Sequence, residues 1–291
     1  MSVVLQQLVE LLDIKAIETN VFLGRSHDLG FGHLFGGQVL GQSLMAASRT
    51  VEADRICHSL QGYFLRAGNP LDSIYYEVDL IRSGRSFSTR RVVAKQGGLA
   101  IFSMSASFQP IEAGLEHQST MPAVPGPDGI LSDLDLVRKN QDRLPPELRE
   151  KFTAERAIEI RVIDPVDPWA PAKRPPFKHA WMRAKGKLPS DPQIHQAMLA
   201  YASDFGLAGT SLLPHGYTFY QQAVQVVSLD HCMWFHRPVQ FDEWVLHAME
   251  SPSATGSRGL NRGQIFAKNG SLVASVAQEG LMRMMRKKKT T

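Results

Sequence analysis

Residues 234–280 read WFHRPVQFDEWVLHAMESPSATGSRGLNRGQIFAKNGSLVASVAQEG, and they repeat in weakened form the stretch 63–108, which begins YFLRAG. Tyr63-Phe64-Leu65-Arg66 matches Trp234-Phe235-His236-Arg237. Both runs pass through a Ser- and Arg-bearing segment, to Arg90-Arg91 in one and Arg262 in the other. Each then makes a Gly-containing turn (Gln96-Gly97-Gly98, Lys268-Asn269-Gly270) and enters an apolar strand, 99–108 or 272–280. The offset holds steady: 237 − 66 is 171, 262 − 90 is 172, and 270 − 98 is 172. A fixed period of this kind marks two similar units joined in tandem.

Each unit reads as a helix followed by a meander of strands. Residues 74–81, 87–95 and 99–108 have strand character, and Gly97-Gly98 and Asn269-Gly270 suit hairpin turns that need positive φ. The first helix is expected over 37–48, GQVLGQSLMAAS, whose small residues Gly41, Ser43, Ala46 and Ala47 let a sheet wrap closely. The second is bounded by Asp191 as N-cap, Pro192 at the first helical position and Gly206 at its end. Ile194, Met198, Tyr201, Ala202 and Phe205 recur along it at helical spacing as a buried stripe. A helix cradled by an antiparallel sheet is the hotdog arrangement. The expectation is α+β, a double hotdog whose two sheets join edge to edge and so hide two open strand edges. The units span 1–110 and 177–291. The proline-dense segment between them, 111–176, reads as a linker packed over both.

The chain has 291 residues, 43% hydrophobic and 21% charged, enough for a full core. No apolar run is long enough to span a membrane, and MSVVLQQLVELLDI at the start reads as an amphipathic helix rather than a signal peptide. Cys57 and Cys232 are too sparse for a disulfide framework, and no cysteine–histidine cluster has metal-ligand spacing, so no metal and a cytoplasmic setting are expected. The net charge is +4, part of it in Arg283, Arg286, Lys287, Lys288 and Lys289. No basic patch interleaved with aromatics supports nucleic-acid binding. The ending KKKTT is not an SKL-type peroxisomal address.

Several blocks carry a resemblance: SLDHCMWFHRP (228–238), LAYASDF (199–205), LFGGQVLGQ (34–42), GYFLRAG (62–68), SFSTRRV (86–92) and ASVAQEGLMR (274–283). Together they resemble the type II acyl-CoA thioesterases, over nearly the whole chain. The resemblance implies an acyl-CoA substrate, no cofactor, and assembly into a homo-oligomer, dimer or tetramer. It also implies an active site of an Asp, a Thr or Ser, and a Gln that bind a water; these fall on Asp204, Ser228 and Gln278. Many relatives carry threonine where this chain has Ser228; the hydroxyl is kept.

Those residue types suit thioester hydrolysis, which needs a nucleophile, a base and oxyanion stabilisation. Ala197, Ala200 and Tyr201 share the Asp204 face of the helix, and small neighbours let a carboxylate approach the sheet and act as a base. A hydroxyl and a carboxamide supply donors and acceptors to hold a water against it. Backbone amides at Gly36, Gly37 and Gln38 are the oxyanion candidates, at the start of the first helix. Arg90, Arg91, Arg258 and Arg262 are CoA phosphate candidates. At the repeat offset, Cys57 and Ala106 stand for Ser228 and Gln278, so one site per chain is expected. Regular alternation of the strand through 228–235 places Asp230 beside Ser228 and turns His231 away, as a structural residue. Two other readings stay open on the same architecture. One is hydratase or dehydratase chemistry through Asp230 and His231; the other is a non-catalytic acyl-CoA-binding subunit.

Overall fold

The computed structural model describes residues 1–219 and 223–285; the basic residues 286–289 lie outside this range. Among the described residues, thirteen strands form one sheet. In the first half, α1 (Val3–Leu12) precedes the short pair β1 (Lys15–Glu18) and β2 (Val21–Gly24). Then come α2 (Gly36–Ser48) and the strands β3 (Arg55–Phe64), β4 (Ile74–Ser83), β5 (Ser88–Gln96) and β6 (Leu99–Pro110). The connecting segment supplies α3 (Asp133–Lys139), α4 (Pro146–Thr153) and β7 (Ile158–Ile163). The second half holds β8 (Phe177–Ala184), α5 (Pro192–Ser203), a 3₁₀ segment (Ala208–His215), β9 (Val224–Ser228) and β10 (Asp230–Phe235). It closes with β11 (Val245–Thr255), β12 (Arg258–Ala267) and β13 (Leu272–Met284). The path across the sheet is β1-β2-β4-β5-β6-β3-β10-β13-β12-β11-β8-β7, with β9 on β13. The expected edge-to-edge union is the β3–β10 pairing, Asp230 opposite Tyr63 through Trp234 opposite Ser59.

The repeat seen in the sequence recurs in the backbone. Leu65 N–H donates to Ile101 C=O at 2.9 Å, and His236 N–H donates to Val273 C=O at 2.9 Å. The Arg66 guanidinium donates to Ala100 C=O, and that of Arg237 to Leu272 C=O. These two arginines fasten equivalent strand crossings. The turn glycines Gly97, Gly98 and Gly270 all have positive φ, as their hairpins require.

Residues 37–48 of α2 and 194–203 of α5 are all buried. A helix enclosed all round needs little amphipathicity, which is why composition rather than periodicity marked α2. The two helices lie antiparallel along a seam of small residues. A Cβ at Gly37 would stand 2.3 Å from Tyr201 C=O, and one at Gly41 would stand 3.0 Å from Ala197 C=O. The N-terminus of α2 therefore meets the C-terminus of α5. Asp191 caps α5 through the Gln193 amide, as expected; the helix ends at Ser203, with Asp204 as C-cap and Gly206 at φ 74° just beyond.

Segment 111–176 is richer than its prolines suggested. β7 reads Ile158, Ile160, Val162 against Glu159 and Arg161, an alternation overshadowed by the prolines around it, and it extends the sheet beyond β8. Residues 116–130 cross the outer face of the second half. There Met121, Val124 and Ile130 cover a cluster of Trp181, Trp244, Leu246, Phe266 and Leu272, and Trp181 Nε1 donates to Pro125 C=O at 2.8 Å.

Candidate active site

The site lies where α2 begins, α5 ends and β10 meets β13. Asp204 extends its carboxylate across the helix seam, with its side chain 7% exposed. Its Oδ2 accepts from the Gly37 amide at 2.9 Å, and its Oδ1 accepts from Gln278 Nε2 at 2.7 Å. A carboxylate at the end of its own helix meets an unfavourable dipole; lying on the N-terminus of α2 offsets this. Gly36 leaves room for the contact, since a Cβ there would stand 2.9 Å from Oδ2 and 3.0 Å from the Phe64 ring. Phe35, Tyr201 and Phe205 wall the seam: Phe35 stacks on Phe205 with ring centres 4.4 Å apart and meets Tyr201 edge-on at 5.1 Å. Burial pushes the Tyr201 phenol's pKa up, which keeps that wall neutral.

Gln278 lies on β13 in the alternating inward row Ala274, Val276, Gln278, Gly280 and is fully buried. Its amide nitrogen also lies 3.1 Å from His231 Nδ1, while its Oε1 is buried with no partner among the described residues. Buried carbonyl oxygens are satisfied in nearly all folded proteins, so an orphaned acceptor in a polar corner marks a place for a ligand hydrogen.

His231 departs from the sequence expectation. Ser228 pairs with Gly280, but Cys232 pairs with Ala277, so four steps along β9–β10 match three along β13. The extra residue is a β-bulge at Leu229, which inverts the alternation beyond it. His231 therefore turns inward opposite Gln278, fully buried, and Asp230 instead accepts from the Glu279 amide at 2.7 Å. The first unit carries the same bulge: Cys57 pairs with Phe108 but Ser59 pairs with Ser107, with His58 as the extra residue. His231 Nε2 lies 3.0 Å from Ser203 Oγ, and Ser203 donates on to Ala200 C=O at 2.9 Å. Desolvation, opposed by the Asp204 charge, holds the imidazole's pKa below the ordinary histidine value and keeps the ring neutral. Both residues sit inside blocks already singled out, ASDF and DHCMWFHRP. What hid His231 was the bulge, which no side-chain pattern announces.

Ser228 is half-buried at the end of β9. Its pairing with Gly280 sets it on the inward face, diagonal to Gln278. Diagonal neighbours in a sheet stand roughly 7–8 Å apart at Cα, and among the described residues Ser228 makes no direct hydrogen bond to Asp204 or Gln278. The spacing suits a bridging water rather than a direct contact.

Two oxyanion candidates need correction. The Gly37 amide is taken by Asp204. The Gln38 amide bonds Phe35 C=O, and its buried side chain ties Arg25 C=O and the His27 amide. Gly36, the first residue of α2, keeps an N–H without a partner among the described residues. Arg90 also needs correction: it is 2% exposed, and its guanidinium donates to the carbonyls of Thr50, Arg82 and Thr89, so it braces the sheet. Arg91 holds Asp79 at 2.6 Å, Arg258 holds Glu279 at 2.9 Å and Arg262 holds Glu250 at 2.6 Å, all at the surface.

The first unit has Arg49 as C-cap of α2 where the second has Asp204. It has Cys57, Leu60 and Ala106 in place of Ser228, His231 and Gln278. Among the described residues no helix is long and apolar enough to cross a membrane, and no group of three or more His, Cys, Asp or Glu side chains is placed to hold a metal.

Comparison with known proteins agrees with this architecture. The family described as acyl-CoA thioesterase matches residues 147–281, and its N-terminal domain matches residues 25–109. Acyl-CoA thioesterase 2 of Haemophilus influenzae is 43% identical over 97% of this chain and 99% of its own length. Human acyl-coenzyme A thioesterase 8 is 39% identical over 94% of this chain and 88% of its own. The crystal structure of acyl-CoA thioesterase II TesB2 from Mycobacterium marinum superposes with a TM-score of 0.78 at 38% identity, covering 97% of this chain and 99% of that one. A hotdog-fold protein from Alicyclobacillus acidocaldarius shares the fold at a TM-score of 0.75 and 17% identity. With a relative this similar along its whole length, the chain belongs to the acyl-CoA thioesterase family.

Proposed function

We propose that the chain hydrolyses acyl-CoA to a free fatty acid and CoA, through a water held by Asp204, Ser228 and Gln278. One observation carries the reading: a buried carboxylate and a buried carboxamide bonded at 2.7 Å, with the carboxamide oxygen beside them unpartnered among the described residues. A water there donates one hydrogen to Asp204 and the other to Gln278 Oε1. Its lone pair is then free to face the thioester carbon. The Ser228 hydroxyl, one diagonal away, completes the cradle. Holding the water this way removes much of the entropic barrier to attack.

Asp204 takes the water's proton as the oxygen bonds to carbon. The carbonyl becomes an oxyanion, stabilised by the Gly36 amide at the positive end of α2. The tetrahedral adduct collapses by breaking the C–S bond. CoA leaves as thiol, taking the proton that Asp204 holds, and the acid is released. Among the surface arginines, Arg91, Arg258 and Arg262 remain the candidates for the CoA phosphates; each would exchange a carboxylate partner for phosphate.

Release of free thiol from palmitoyl-CoA, followed with a thiol reagent, tests the reaction. Asp204→Asn and Gln278→Ala are expected to lower kcat by about 10²-fold or more, the usual contribution of a positioned base and its water. Hydrolysis by both variants at the parent rate would remove the site assignment.

A further inference from the structure

We propose that His231 and Ser203 are positioning residues. Together they form a one-way hydrogen-bond relay that locks the Gln278 carboxamide with its nitrogen on Asp204 and its oxygen toward the attacking water. The proposal rests on the hydrolase reading above and assigns two residues that act through Gln278.

Every direction in the relay is forced by what each atom is able to do. An amide nitrogen only donates. Gln278 Nε2 has two hydrogens and two neighbours, Asp204 Oδ1 at 2.7 Å and His231 Nδ1 at 3.1 Å. Nδ1 must therefore accept, which puts the ring proton on Nε2. Nε2 then donates to Ser203 Oγ at 3.0 Å, and Ser203 passes its own hydrogen to Ala200 C=O at 2.9 Å. His231 and Ser203 are both fully buried, so no solvent substitutes for a missing member.

The consequence falls on Gln278. Rotated by half a turn, the carboxamide would point its oxygen at the Asp204 carboxylate and its nitrogen at the water. With Nδ1 accepting, that rotation loses two hydrogen bonds and sets two acceptors against each other. The first unit supports a dedicated role. Ser48 makes the same kind of helix back-bond, to Leu44 C=O at 2.8 Å, yet Leu60 and Ala106 stand where His231 and Gln278 would be. The serine back-bond is thus shared by both helices, and the histidine link appears only in the unit that carries the Asp204 and Gln278 pair.

The test is a double-mutant cycle on the full chain, reading kcat and KM for palmitoyl-CoA hydrolysis. His231→Leu is expected to lower kcat about tenfold with KM within twofold. In the Gln278→Ala background, the same change is expected to lower kcat less than twofold, because no carboxamide is left to orient. His231→Asn should recover part of the loss, since its Oδ1 can stand where Nδ1 stood. Ser203→Ala should fall with His231→Leu, and it carries the test if His231→Leu fails to fold. Equal losses from His231→Leu in the parent and Gln278→Ala backgrounds would overturn the relay, as would a parent-like Ser203→Ala. If Asp204→Asn and Gln278→Ala hydrolyse like the parent, the hydrolase site itself is wrong. If they are slow while His231→Leu and Ser203→Ala are not, only the relay fails.

Discussion

Replacing Gly37 by alanine adds one methyl group to the helix seam, and the structure says where it lands. The new Cβ would lie 2.3 Å from Tyr201 C=O and 2.5 Å from the Phe35 ring, against an ordinary contact of 3.4 Å or more. Relief requires α2 and α5 to separate by about 1 Å, because a backbone carbonyl inside a helix has no rotamer to escape into. Overpacking of this kind costs about 1–3 kcal/mol, and alanine's better helix propensity returns about 1 kcal/mol. The net loss of stability is therefore expected to be at most about 2 kcal/mol, and the protein should still fold. The larger effect is on the site. The Gly37 amide holds Asp204 at 2.9 Å, and a shift of about 1 Å takes that bond past hydrogen-bonding range. Misplacement on this scale costs about 10²-fold in rate. Gly41→Ala is the control: one turn further along the seam, its methyl would meet Ala197 C=O and Leu12 at 3.0 Å, where a few tenths of an ångström suffice. Thermal melting and kcat on palmitoyl-CoA should separate the two variants, with Gly37→Ala losing far more activity than stability. A Gly37→Ala protein whose kcat stays within twofold of the parent would refute the claim that the seam sets the position of Asp204.

Two further expectations concern groups away from the chemistry. Arg90→Met should lower stability by about 3 kcal/mol, at about 1 kcal/mol for each of the three carbonyl hydrogen bonds it removes, while KM for acyl-CoA stays unchanged; a large rise in KM with intact stability would restore a phosphate role. His247 is fully buried, and its pKa is pushed down to about 3, by desolvation first and then by Lys178 and His231. The unfolded chain binds this proton near pH 6.5, so the stabilisation is complete above that pH and declines as pH falls toward 3; the loss is about 2 kcal/mol by pH 5. Urea midpoints at pH 7 and pH 5 should therefore differ less in His247→Met than in the parent, and equal differences would show that His247 is not the group responsible.

The sequence and the structure part company at identifiable residues. Local rules located the turns at Gly97-Gly98 and Asn269-Gly270 and the Asp191 cap of α5, because each depends on the conformation of a few adjacent residues. They missed β7, whose short alternation lies between prolines. They also placed His231 on the wrong face, because alternation holds only while a strand keeps its register. Arg90 looked like a phosphate ligand because its charge is visible in the sequence and its carbonyl partners, up to forty positions away, are not.

The amino-acid sequence alone determined the two-unit architecture, since a period of 171–172 residues with matched turns leaves little choice of topology, and it brought Asp204, Ser228 and Gln278 to notice through their resemblance to a family. Only the tertiary structure decided how the site is wired. Antiparallel contact of α2 with α5 gives Asp204 the Gly37 amide, and the bulge at Leu229 turns His231 onto Gln278. Both are consequences of packing between segments far apart in the chain, where a shift of one residue in register or one methyl in a seam changes which atoms meet.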